Sequence, residues 1–75
     1  MRLYSIMKDF LTMKEYLPME YFMKRYDVSR RTIQNDLSYL IQISSRNGYQ
    51  LHMRRGNGYL LEVINDRLLD EFMKS

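Results

Sequence analysis

Apolar residues along this chain recur at two different periods. In four stretches they return every three or four positions, which is typical of amphipathic helices. These stretches run over about Leu3–Lys14, Met19–Arg25, Ser29–Ser44 and Ile64–Lys74. Between the third and fourth stretches the period shortens to two, because Tyr49, Leu51 and Met53 alternate with polar residues. That alternation predicts a β-strand.

Turn residues divide these elements. Pro18 disfavours helical geometry at Leu17 and suits the start of a new helix, so it separates the first two helices. Asn47-Gly48 ends the third helix, and Arg55-Gly56-Asn57-Gly58 is a tight turn before a second strand, Tyr59–Val63. The two strands therefore form a hairpin, to which Tyr16-Leu17 is positioned to add a short third strand.

The third helix has a capped start and two distinct faces. Ser29 is a good N-cap, and Asp27-Val28 before it forms a turn in which Asp27 tolerates the left-handed conformation and Val28 plugs the core. The predicted buried face consists of Ile33, Leu37, Leu40 and Ile41. The opposite face carries Arg31, Asn35, Ser38 and Gln42 at the same helical spacing.

The order helix, helix, turn, helix, hairpin, helix predicts a mainly α fold with a small β-hairpin. Three short helices form a bundle, the hairpin leans on it as a wing, and a fourth helix follows. This arrangement is a winged helix-turn-helix. In the first and fourth helices the predicted apolar positions are Ile6, Phe10, Met13, Leu17, Ile64, Leu68, Leu69, Phe72 and Met73.

Residue types on the third helix and at the hairpin tip favour contact with nucleic acid. Arginine can bridge guanine O6 and N7, glutamine and asparagine can bridge adenine N6 and N7, and hydroxyls commonly bind phosphate. The candidate DNA-binding residues of the third helix are Arg30, Arg31, Thr32, Gln34, Asn35, Ser38 and Tyr39. Arg54 and Arg55 are the candidate wing contacts, to phosphate or the minor groove. The alternatives are an ordinary solvated helix face and a solvated hairpin tip.

The run from Val28 to Leu40, with its Val-Ser-x-Arg-Thr-Ile-x-x-Asp-Leu-x-x-Leu pattern, resembles the recognition helix of DeoR-type repressors. The same pattern occurs in activators of sugar phosphotransferase operons that contain regulatory PRD domains, and in Mga-like virulence regulators. The resemblance implies that this helix enters the major groove of DNA. It also implies that residues 1–75 are one DNA-binding domain at the N-terminal end of a larger bacterial regulator. An acidic residue matching Asp36 occurs in these families, which implies a structural role and a nearby arginine partner.

Charge and composition narrow the function classes. The net charge is only +3, yet residues 24–55 carry seven basic and two acidic side chains, whereas the remainder is net −2. A positive segment of this kind suits a polyanionic partner. With no cysteine and one histidine, disulfides, thiolate metal sites and multi-histidine sites are excluded. No cofactor or small-molecule ligand is expected, and the predicted location is cytoplasmic, without membrane insertion.

No catalytic constellation is present. His52 is predicted to be a strand residue without an acidic or thiol neighbour, and Asp70-Glu71 reads as a solvated helix face. Gly56-x-Gly58 follows no buried strand of the kind that precedes a phosphate loop. An enzyme is therefore not expected. Lys24 and Arg25 are predicted to meet phosphates rather than bases, if they touch DNA.

Two other functions remain open from the sequence. A winged-helix module can bind a protein partner instead of DNA, and Tyr49 and Tyr59 leave RNA binding as a further alternative. The apolar residues of the fourth helix cover a wider arc than packing against the small bundle requires, which predicts an exposed self-association surface. A homodimer is therefore predicted through Ile64, Leu68, Leu69, Phe72 and Met73.

Overall fold

The computed structural model describes residues 1–75 and confirms the predicted winged helix-turn-helix. Four α-helices and one antiparallel hairpin follow the predicted order. They are α1 (Arg2–Met13), α2 (Met19–Tyr26), α3 (Arg30–Gln42), β1 (Tyr49–Arg54), β2 (Gly58–Val63) and α4 (Asp66–Lys74). A single 3-10 turn, Ser45–Asn47, links α3 to β1. None of the helices has the length and apolar character needed to span a membrane.

The helix ends follow the capping chemistry. The Ser29 side chain accepts a hydrogen bond from the backbone N–H of Thr32, which confirms it as the N-cap of α3. Asp27 ends α2 in the left-handed conformation, as predicted, and Lys14 ends α1 in the same way. Asn65 caps α4 by accepting from the N–H of Leu68.

One hydrophobic core lies between the helices and the base of the hairpin. Its eleven buried residues are Ile6, Met7, Phe10, Leu17, Phe22, Ile33, Leu37, Leu40, Ile43, Tyr49 and Leu69. Tyr49 is fully enclosed at the base of β1, and its hydroxyl donates to the Leu40 carbonyl at the end of α3. Burial raises the pKa of Tyr49 to about 12. Val28 packs against this core, as predicted.

The hairpin is anchored to the bundle by an isolated β-bridge at Leu17, so the predicted third strand of Tyr16-Leu17 is reduced to one residue. Leu17 and Tyr59 exchange two backbone hydrogen bonds, of 2.7 and 2.9 Å. Gly58, the first residue of β2, lies against the same segment with φ +103°. A Cβ there would sit 2.2 Å from the Leu17 carbonyl oxygen, so only glycine fits this approach.

Three predicted core positions are wrong. Ile41 lies within α3 but is 45 % exposed, because the helical turn from Leu40 takes it to the edge of the buried face, and Ile43 is buried instead. Met13 lies at the last turn of α1, beyond the bundle, and is also exposed. Ile64 precedes the Asn65 cap, so it lies outside α4 in an exposed link.

Helix α4 closes the core rather than presenting a wide apolar arc to solvent. Leu69 is buried, and Phe72 and Met73 pack against the core cluster. Leu68 is half-buried. Among the five residues predicted for self-association, only Ile64 is largely exposed.

Candidate nucleic-acid interface

Two consecutive arginines begin α3 and face solvent. Arg30 and Arg31 follow the Ser29 cap directly, in a first turn that contains no acidic residue. Positive charge at a helix N-terminus opposes the helix dipole and slightly lowers helix stability. The arrangement therefore gives nothing to the fold and supplies two cationic side chains at an exposed helix start.

The face of α3 opposite the core is polar and open. Arg31, Asn35, Ser38 and Gln42 form this outer stripe, and all four are exposed. Gln34 lies beside the stripe and is exposed as well. Thr32 differs from the other candidates, because it is half-buried and its hydroxyl lies 3.1 Å from the Ser29 hydroxyl within the cap.

The start of α3 and the hairpin tip face each other across an open groove. Its volume is about 410 Å³. This wing groove is lined by Pro18, Met19, Glu20, Arg30, Met53, Arg54, Arg55, Gly56, Gly58 and Tyr59. The structure thus brings Arg30 together with the two wing arginines, which are far apart in the sequence. The residues of the outer stripe do not line the groove.

Arg30 is already paired inside the wing groove. Its Nη2 lies 2.7 Å from Oε2 of Glu20, a residue in the first turn of α2. Both side chains are more than half exposed. The pKa of the Glu20 carboxyl is lowered, first by a hydrogen bond from its own backbone N–H and then by Arg30. Sequence periodicity gives no sign of this pair, because its members belong to different helices.

The two wing arginines flank a turn shaped by glycine. The N–H of Asn57 donates to the Arg54 carbonyl, and Gly56 adopts φ +85°. The Arg54 guanidinium lies 4.9 Å from the centroid of the Tyr16 ring, a cation–π contact that orients it. Arg55 makes no ion pair and projects from the tip.

Tyr39 stands apart from the wing groove. Its ring is half exposed and lines a small apolar pocket formed by residues of α1, α3 and α4. Met1, Tyr4 and Phe72 line the same pocket. Of the predicted set, Tyr39 therefore lies on the α1 flank of α3, and Arg30 lies on the wing flank.

One basic residue of the positive segment, Arg25, binds the buried carboxylate of Asp9, which the sequence analysis did not identify. Arg25 Nε donates to Asp9 Oδ2 at 2.7 Å, and the Tyr26 hydroxyl donates to the same oxygen at 2.6 Å. We call these three residues the Asp9 cluster. The Arg25 guanidinium thus joins α2 to α1, but its side chain is 48 % exposed, so its predicted phosphate role stays a prediction. Burial and the bond to Asp9 raise the pKa of Tyr26 to about 12.

Two further ion pairs lie near the interface. Asp36 pairs with Arg2 of α1, so the expected structural arginine partner is present and α3 is tied to α1. His52 Nε2 lies 2.7 Å from Glu62 Oε1 across the hairpin, so the prediction that His52 has no acidic neighbour is wrong. The register pairs Gln50 with Glu62, which brings the next polar residue on that strand face within diagonal reach.

Five basic residues of the positive segment make no ion pair. These are Lys24, Arg31, Arg46, Arg54 and Arg55. All five are exposed. Cationic side chains that the fold leaves unpaired are available to an external anion. No group of three or more histidine, cysteine, aspartate or glutamate side chains is placed to hold a metal ion.

Comparison with protein families gives one match. The family model described as an HTH domain matches residues 2–60, which covers α1 through the start of β2 and all of the wing groove. HTH denotes helix-turn-helix, a DNA-binding and non-enzymatic kind of domain. Comparison with curated proteins and with solved structures gives no match.

Proposed function

This chain belongs to the HTH domain family, and on that basis we propose that it binds double-stranded DNA in a sequence-specific manner as part of a transcriptional regulator. In the proposed complex, α3 lies in the major groove and the wing lies beside it along the DNA backbone. The reaction is binding alone, without chemistry on the nucleic acid.

The observation that carries this proposal is the position of the unpaired arginines. Arg31 begins the outer stripe of α3, while Arg54 and Arg55 stand across the wing groove from the residue next to it. A helix in the major groove with a basic wing beside it requires cations at these two places. A domain that only binds protein has no need for them.

The proposed roles follow residue type and exposure. Arg31, Gln34 and Asn35 are proposed to read base edges, because their donors match guanine and adenine and all three are exposed. Ser38 and Tyr39 suit phosphate oxygens, and Thr32 contributes chiefly by capping α3. Arg54 and Arg55 are proposed to contact phosphate or the minor groove.

We further propose that the domain belongs to a bacterial regulator of the DeoR, PRD-containing or Mga-like type, located in the cytoplasm and larger than these 75 residues. A single domain of this size can cover one short half-site, and specific operators are normally read by paired domains. Pairing through Ile64, Leu68, Leu69, Phe72 and Met73 stays a prediction. Sedimentation of this chain over a concentration series would test it, with Ile64→Glu as the variant that leaves the core intact.

The test of DNA binding is fluorescence anisotropy of the 75-residue chain with random duplex DNA across a salt series. Binding through about four phosphate contacts predicts a slope of log K against log salt of roughly −3 to −4. Selection from randomised duplexes should then return a preferred site. No salt-dependent duplex binding would overturn the proposal. Stronger binding to single-stranded RNA of the same length would favour the RNA alternative instead.

A further inference from the structure

Glu20 is the only acidic residue that lines the wing groove. The other charged residues there are Arg30, Arg54 and Arg55, so a lone carboxylate stands in a positive surface proposed to meet a polyanion. The Glu20 side chain is 71 % exposed. Exposed ion pairs contribute little to folding stability, so the bond to Arg30 adds little to the favourable place of an acid in the first turn of α2.

The Glu20 carboxylate occupies Arg30 in the way that a DNA phosphate would. It lies 2.7 Å from Arg30 Nη2 and satisfies one of the five N–H donors of that guanidinium. A phosphate arriving at Arg30 must displace this carboxylate or approach it, and like charges repel. A base edge presents no such negative charge, so contact with a base carries a smaller penalty.

Building on the proposed function, we propose that Glu20 is a specificity-determining residue that weakens binding to random DNA by holding Arg30 away from phosphate. Specificity is a ratio of two affinities, and it rises when the unwanted affinity falls. Non-specific binding comes almost entirely from phosphate contacts, and therefore a carboxylate that removes one arginine from the phosphate-binding set lowers it selectively.

The test uses Glu20→Gln, which keeps the side-chain length and removes the charge. Affinity for random duplex DNA should rise about threefold to tenfold at low salt, and the salt slope should steepen by about 0.9, the value for one added phosphate contact. Affinity for a duplex selected by the wild-type chain should rise less, so that the ratio of the two affinities falls. Equal or weaker binding of random duplex would overturn the inference.

Glu71→Gln is the matched control, because it gives the same net charge through an exposed, unpaired glutamate on α4, outside the wing groove. It should leave the salt slope unchanged. The effect of Glu20→Gln should also disappear in an Arg30→Ala background. An equal gain in affinity from Glu71→Gln, or a gain that persists without Arg30, would show a general charge effect and overturn the inference.

A DNA-independent measurement separates this inference from the proposed function. Carboxyl NMR of Glu20 should show a higher pKa in Arg30→Ala than in the wild type, because the ion pair is lost. An unchanged pKa would show that the pair does not form in solution and would overturn the inference alone. Absence of duplex binding by every variant would overturn the proposed function, and the inference with it.

Discussion

Arg25 and Arg30 each meet a carboxylate oxygen at 2.7 Å, yet the two pairs have opposite surroundings. The partner of Arg25 is Asp9, whose side chain is 9 % exposed and also accepts from the Tyr26 hydroxyl. Glu20, the partner of Arg30, is 71 % exposed in an open groove. A buried carboxylate must keep its donors, whereas an exposed one can exchange them for water.

The difference separates two uses of positive charge in one small domain. In the Asp9 cluster, the Nε of Arg25 links α2 to a buried carboxylate of α1. In the wing groove, Arg30 remains 55 % exposed, and its pairing with Glu20 is proposed to adjust binding rather than folding. Counting basic residues in the sequence therefore does not separate an arginine that links two helices from one that makes no ion pair.

The largest expected effect comes from removing the buried carboxylate of the Asp9 cluster. Asp9→Ala removes the shared acceptor of Arg25 and Tyr26, and should lower the free energy of unfolding by about 2–3 kcal/mol. For a domain of this size that corresponds to a fall in Tm of roughly 8–24 °C. Urea unfolding followed by circular dichroism measures it. Asp9→Asn keeps an acceptor and should lose less; a loss below about 0.5 kcal/mol in Asp9→Ala would mean the cluster is not structural.

A second prediction concerns an arginine that makes no ion pair. Arg31→Ala should weaken binding to a selected duplex by about 1–3 kcal/mol and relax base preference at one position, if the lost contact bridges a guanine. Selection from randomised DNA with the variant measures the preference. Arg46→Ala removes an equal charge outside α3 and should leave the selected motif unchanged. The same motif from Arg31→Ala would remove Arg31 from the base-reading set.

The wing provides the third prediction. Arg54→Ala combined with Arg55→Ala should weaken binding to all duplexes alike and reduce the magnitude of the salt slope by about 0.9 for each lost phosphate contact. Lys8→Ala combined with Arg67→Ala is the matched loss of two charges in the separate groove between α1 and α4. If both double variants behave identically, the wing makes no direct contact with DNA.

Alkaline pH tests the Asp9 cluster through ionisation of the Tyr26 hydroxyl. The pKa of Tyr26 is raised from 10.0 to about 12, so its contribution to stability is complete below pH 10 and is lost as pH rises towards 12. Tyr26→Phe cannot ionise and should show a shallower fall in the urea midpoint between pH 10 and 12. The difference between the two chains is the quantity to measure. Parallel pH curves would show that Tyr26 is not shielded in the folded state.

The smallest expected effect concerns the exposed ion pair of Glu20 and Arg30. Glu20→Gln should change the free energy of unfolding by less than about 0.5 kcal/mol, because solvent screens the pair with Arg30. Urea unfolding at neutral pH, beside Asp9→Asn, measures the contrast. A loss comparable to that of Asp9→Asn would erase the distinction between a structural pair and a functional one.

The features that the sequence predicted are those with local causes. Helical spacing, the Ser29 cap and the glycine turn are each encoded within a few residues, and all were found. Ile64 was misassigned because periodicity alone does not reveal where a helix begins, and Ile41 because it lies at the edge of the buried face of α3. One residue of shift at a terminus turns a side chain to another face.

The ion pairs could not be predicted in the same way. Asp9 and Arg25 are 16 residues apart, and Arg30 and Glu20 are 10 apart, on different helices. Only the packed bundle brings them together, so no spacing rule identifies the partners. The candidate residues were therefore predictable by type, whereas their availability depended on the tertiary structure.

The joint between Leu17 and Tyr59 has a mechanical consequence. Leu17 holds the wing, and the next residue, Pro18, starts α2, whose first turn carries Glu20. The wing and α2 are thus joined at two adjacent residues, Leu17 and Pro18, and Gly58 packs closely against both. The two backbone bonds at Leu17 therefore hold the wing beside the start of α2. If a duplex binds in this groove as proposed, a groove that is already formed loses less entropy on binding than one that must close.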